Sequence, residues 1–220
     1  MDDIHIENFS ALGIAYNCAK PNFSADPEKA LIESIEILSQ DIKTLKLVLS
    51  WFQNYEDLLH VERLKALIKI VPMTTKAWLG AIAQFGNARR WAPIIRDLEG
   101  VQLKEIEQNE FTNLQIKRLG VDLNFKKYGI KIPTIDLTGL EKKLLSREHV
   151  LEKHFWLRLR VLFGANWRAD IAWQMYLDPH QTPYQVAKTL GCNAETAYRN
   201  WKALELANAK EFLRPKKKSA

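Results

Sequence analysis

Cysteine is nearly missing from this chain. Cys18 and Cys192 are the only two in 220 residues, too few for a disulfide framework, and neither has a Cys or His neighbour at metal-ligand spacing. Long apolar runs are also scarce. Stretches such as "VLSWF" and "LIKIVPM" fall far short of the roughly 20 residues that span a bilayer. The opening "MDDIHIENF" is acidic where a secretory signal would be basic and then apolar, so a cytoplasmic, reducing setting is expected. Gly80, Gly86 and Gly100 stand alone with no Lys-Ser/Thr behind them, which excludes a phosphate loop of the usual kind. His149 and His154 are five apart, on different sides of a helix, unlike the i, i+4 pair that grips zinc; both are expected at the surface. With no Ser-His-Asp or Cys-His pattern either, no enzyme, catalytic residue, metal or cofactor is expected.

What the chain has is apolar content, helical periodicity and a lopsided charge. An apolar fraction of 47% is enough for a sizeable core. The net charge of +6 is uneven: residues 141–220 hold 15 Lys and Arg against 8 Asp and Glu, while residues 1–140 hold 17 against 18. All the excess positive charge therefore lies in the last third, as when one module meets a polyanion.

Helical spacing dominates the N-terminal region. Asp26 and Pro27 open one run with Leu31, Ile35 and Leu38 on its inner face. Ile42, Leu45, Val48 or Leu49, and Phe52 follow, then Val61, Leu64 and Leu67. "TTKAWLGAIAQFG" predicts a helix capped by Thr74 or Thr75 that buries Trp78, Ile82 and Phe85, and "RRWAPIIRDLEG" predicts another ending at Gly100. Val121, Leu123 and Phe125 alternate at period two, which predicts a strand or hairpin. Pro133 and Gly139 interrupt both periods, so the expected division is a helical domain at 1–140 and a second domain at 141–220. Beyond that boundary a helix is predicted from Ser146 to Gly164, with Leu151, Phe155, Leu159 and Leu162 inward and Trp156 exposed or interfacial. Arg158, Arg160 and Arg168 are candidates for phosphate contact or for pairing with Glu148, Glu152 or Asp170. A further helix follows Asn166, burying Ile171 and Met175.

The most specific signal is "TPYQVAKTLGCNAETAYRNWKAL", residues 182–204. Thr182 and Pro183 start a short helix that buries Val186, Ala187 and Leu190. Gly191 supplies a left-handed stop, and Asn193 caps a second helix that turns Ala197, Trp201 and Leu204 inward. Glu195, Thr196, Arg199, Asn200 and Lys202 lie towards the other side. With the preceding "NWRADIAWQMYLD", the stretch over roughly residues 165–208 resembles the helix-turn-helix of bacterial transcription regulators, most closely the winged-helix kind. Ala187, Gly191 and Ala197 match that family's small crossing residue, turn glycine and following apolar residue. Val186, Leu190 and Cys192 match the apolar positions around them.

The resemblance implies a mainly α protein whose C-terminal three-helix domain binds double-stranded DNA as a transcription regulator. Too little chain follows Asn208 for a full β-hairpin, so the wing is expected to be short or absent. Asn193, Glu195, Thr196, Arg199, Asn200 and Lys202 would read or approach the bases, and Arg214, Lys216, Lys217 and Lys218 would form an arm on the phosphates. A homodimer is expected, since one short helix contacts few bases. The alternative is a protein-interaction module, of antitoxin or phage-defence accessory type, whose helix-turn-helix packs on a protein, with the N-terminal helices as a second docking surface.

Overall fold

The computed structural model describes residues 3–103 and 110–213. It is mainly helical. Among the described residues the only β pairings are two isolated bridges, Ile14 with Leu144 and Val121 with Pro133. The N-terminal region runs through α1 (Asp3–Leu12), α2 (Pro27–Glu33), α3 (Ile35–Leu38), α4 (Ile42–Tyr55), α5 (Val61–Ile68), α6 (Met73–Ala83) and α7 (Ala88–Asp97). α8 (Glu110–Leu119) and α9 (Leu123–Lys126) follow, then a 3₁₀ turn at Leu140–Lys143. The C-terminal region holds α10 (Arg147–Lys153), α11 (Phe155–Phe163), α12 (Trp167–Leu177), α13 (Pro183–Leu190), α14 (Ala194–Leu206) and α15 (Ala209–Leu213).

Local chemistry explains the starts. The Asp26 carboxylate accepts from the Lys29 amide, and Pro27 follows it at the first helical position of α2. Asp41 caps α4 and Asn87 caps α7. Two expectations fail here. α6 starts after Pro72 without a side-chain cap, so neither Thr74 nor Thr75 plays that role. The alternation at Val121, Leu123 and Phe125 makes one bridge and then a helical turn. Asp122 accepts from the Asn124 and Phe125 amides, which favours α9 over a strand and leaves Leu123 exposed while Phe125 is buried.

Two apolar cores result. The larger takes Phe9, Leu12, Leu45, Trp51, Phe52, Trp78, Trp91 and Phe125, and reaches as far as Val150 and Leu157. The smaller takes Trp156, Leu159, Ile171, Trp173, Val186, Trp201 and Leu204, with Leu213 on α15.

They meet where the helix expected over 146–164 is broken at His154. That residue has extended backbone and accepts the Leu157 amide at its own Nδ1, 3.4 Å, so it ends α10 and caps α11. The break resets the helical phase. Trp156 is therefore buried and Leu162 exposed, the reverse of the sequence expectation, and His154 is enclosed while His149 stays at the surface.

The joint between the cores is ionic. Glu28 on α2 accepts two bonds from Arg160, at 2.6 and 2.8 Å, one from Arg63 at 2.6 Å and one from the His60 amide at 2.7 Å. Asp170 on α12 accepts from Arg160, from Trp156 Nε1 at 2.7 Å, and pairs with His60 Nδ1 at 2.7 Å. The Trp156 ring lies about 5 Å from both guanidiniums, and the Trp167 ring meets His60 edge-on. Burial pushes the Asp170 carboxyl up, but Arg160, His60 and Arg63 override it and hold it well below the ordinary carboxylate range. Arg160 and Asp170 are thus settled as internal partners, which removes Arg160 from any phosphate contact.

Candidate nucleic-acid interface

The helix pair at residues 182–206 is built as its cap residues dictate. Thr182 accepts the Gln185 amide while the Gln185 side chain accepts from the Thr182 amide, a reciprocal cap that fixes where α13 begins. Gly191 ends it at φ 74° and ψ 24°, and its N–H donates to Ala187 O. Asn193 then accepts the Glu195 amide at 2.7 Å and starts α14. Val186, Ala187 and Leu190 of α13 and Ala197, Trp201 and Leu204 of α14 are buried against α12, which packs on both helices.

α14 therefore turns a defined face outward. At 100° per residue, Glu195, Arg199, Lys202 and Leu206 lie opposite the buried stripe. Arg199 is exposed and makes neither a hydrogen bond nor an ion pair among the described residues. Lys202 pairs with Glu205 at 3.0 Å, which raises its pKa, and lies 6.0 Å from the Tyr198 ring centre. Asn200 sits at the flank, half-buried. Its amide donates to Thr196 O, and its oxygen accepts from Arg168 Nε at 3.4 Å across to α12. The outward face thus gathers Glu195, Arg199 and Lys202. Thr196 and Asn200 stand on one side of it, and Asn193 is occupied as a cap. Arg214, Lys216, Lys217 and Lys218 lie outside the described residues.

The positive charge of this region is thin where it is described. Arg158 is exposed and stacks over Phe155 at 4.9 Å; Arg168, Lys188, Arg199 and Lys202 are the other exposed cations of α11–α14. Among them Lys202 alone has an acidic partner within 4 Å.

Two residues escaped the sequence reading. Tyr184 at the start of α13 and Tyr198 on α14 are 72% and 58% exposed, and both line one groove together with His180 and Lys202. The signal was available, because both occupy positions on the polar side of their helices where an aromatic ring has no core to enter. After Leu206, the described chain forms α15, which packs on α12 and α14, and no strand follows α14 among the described residues.

No protein-family model, curated protein or solved structure matches the chain. No helix of the described residues is long and apolar enough to cross a membrane.

Proposed function

We propose that the chain is a non-catalytic, DNA-binding regulator that reads duplex DNA through α14, with α12–α14 acting as a wingless helix-turn-helix. The observation that carries this reading is Arg199: a solvent-facing guanidinium, free of partners among the described residues, at the centre of an outward face whose buried side is held by two capped helices. A guanidinium so placed can grip a guanine edge with two parallel bonds in a major groove wide enough for one helix. Lys202 and Thr196 flank it, and Glu195 at the start of the helix can accept from a cytosine amino group. Arg168, Lys188 and the cations at 214–218 would supply phosphate contacts and a steep salt dependence. Two copies of the chain would bind two half-sites.

The test is selection of bound sequences from a random duplex pool, comparing the native chain with Arg199→Ala. That variant removes an exposed, unpaired side chain and leaves the fold intact. The reading expects an enriched motif, and a loss of about 1–3 kcal/mol on the preferred site in the variant. If all sequences weaken equally, Arg199 only touches phosphate; if none is enriched, base reading is wrong.

A second reading rests on different residues. Leu162, Tyr184, Tyr198 and Leu206 are large side chains of α11, α13 and α14 that are 58–86% exposed, and Tyr184 and Tyr198 share one groove. They favour a protein-docking module. It would show binding that is insensitive to salt and no shift of random duplex at low salt.

A further inference from the structure

A second candidate site lies away from α14, in a cleft of about 400 Å³ between α4 and the 3₁₀ turn at Leu140–Lys143. Leu47 and Leu140, with the buried Ile14, are its apolar lining, and Lys43, Lys46 and Lys143 are the only charged groups lining it among the described residues. No carboxylate lines the cleft, and none of the three ammonium groups makes an ion pair among the described residues. Asp41 and Asp136 feel Lys43 and Lys46 at longer range and stand outside the lining. The remaining polar wall group is Tyr16, whose phenol is pushed up to about 12 by burial and by Asp41, so it adds no negative charge at neutral pH.

A concave, mostly apolar site with a few convergent polar groups is the ordinary form of a small-molecule site, and its volume falls in the range of about 300–1,000 Å³ typical of such sites. Three like charges lining one cleft with no carboxylate among its lining favour an anion there. We infer that this cleft binds an anionic amphiphile, a carboxylate or phosphate head on an aliphatic body, with Lys43, Lys46 and Lys143 on the head and Ile14, Leu47 and Leu140 on the body. The spacing supports the division of labour. Lys43 and Lys46 are three apart on α4 and share a face with Leu47, while Lys143 enters from the facing turn.

The site is independent of α14, so its test does not depend on DNA. Isothermal titration of the full-length chain with sodium decanoate and with decyl phosphate should show saturable one-to-one binding, whereas acetate, which lacks the body, and methyl decanoate, which lacks the charge, should not bind. The triple variant Lys43→Gln/Lys46→Gln/Lys143→Gln, checked for native helicity by circular dichroism, should bind decanoate at least tenfold more weakly. Lys143→Glu alone, at an exposed position, should weaken it too and serves if the triple variant misfolds.

Co-sedimentation with phosphatidylglycerol and with phosphatidylcholine vesicles separates the two sources of such a head group. Titration without vesicle binding supports a free amphiphile. Titration with lysine-dependent binding to phosphatidylglycerol supports a lipid source. Vesicle or nucleic-acid binding without decanoate binding overturns the cleft in favour of a general basic surface. Equal decanoate affinity in native and variant chains overturns it as well.

Discussion

Acid should loosen this fold well before its carboxylates titrate, and His154 is the reason. The imidazole is fully enclosed, with Nε2 3.0 Å from Ala25 O and Nδ1 accepting the Leu157 amide. Those partners assign the neutral tautomer with its proton on Nε2; a second proton, on Nδ1, would face a donor. Burial, opposed by the Ala25 carbonyl and helped by the nearby Arg160 charge, lowers its pKa from 6.5 to about 4; Asp26 is the carboxylate facing it. A lowered pKa in the folded state means that the unfolded chain binds the proton first as pH falls. The contribution to stability is therefore fully present above about pH 6.5 and is lost as pH falls towards 4. Its size is about 2 kcal/mol by pH 5 and about 3 kcal/mol by pH 4. Asp170 and Asp41, whose pKa values are lowered from 3.8, begin to cost stability only as pH falls below about 5 and lose most of it below 3.8, and that loss is common to the native chain and a His154 variant. Urea unfolding at pH 7, 6, 5 and 4.5 measures it, with His154→Asn as the reference because asparagine keeps a helix cap but has no titrating ring. The native chain should be the more stable at pH 7, and its advantage should shrink by about 2 kcal/mol at pH 5. Parallel pH profiles for the two proteins would refute the reasoning.

Two other perturbations follow from the geometry. Arg160→Ala leaves Glu28 and Asp170 buried without their main cation and should cost about 3–5 kcal/mol in urea unfolding; a loss under about 1 kcal/mol would mean that water enters the joint and solvates the acids. Gly191→Ala meets open space but must hold φ at 74°, so it should cost about 1 kcal/mol, with Gly191→Asn costing less. Equal thermal midpoints for the glycine and alanine proteins would show that the turn relaxes out of the left-handed region.

The elements of the fold that could be read from the sequence are those whose causes are local. Thr182, Gln185, Gly191 and Asn193 specify the α13–α14 corner through caps and one backbone conformation, and all of that chemistry lies within a dozen residues. Asp26, Ser146 and Asn166 cap the helices they were expected to open, for the same reason. The misreadings share a different cause. Nothing near His154 marks it as a helix break, because histidine is a weak capping residue and its second partner, Ala25, is 129 residues away. Once the break is missed, the phase of α11 is wrong and Trp156 and Leu162 exchange their expected environments. Arg160 belongs to Glu28 across 132 positions, and no spacing rule reaches that far. At α9 a period-two pattern lost to one aspartate that satisfied two amides.

The ionic joint also bears on how the candidate interface works. Buried ion pairs are expensive to desolvate and gain little over apolar packing, but they are strict about geometry, since a displaced partner leaves a charge in a dry site. Here the strictness falls on α12, because Asp170 takes bonds from α11 through Arg160 and Trp156 and from the start of α5 through His60. α12 in turn forms the floor on which α13 and α14 lie. The outward face of α14 is thus referenced to the first core through charged contacts rather than through a flexible tether. A change at Glu28, far from Arg199 in sequence, is therefore expected to disturb the seating of α12, on which α14 lies, as well as stability. The outward face of α14 is thereby held in a defined relation to the N-terminal helices.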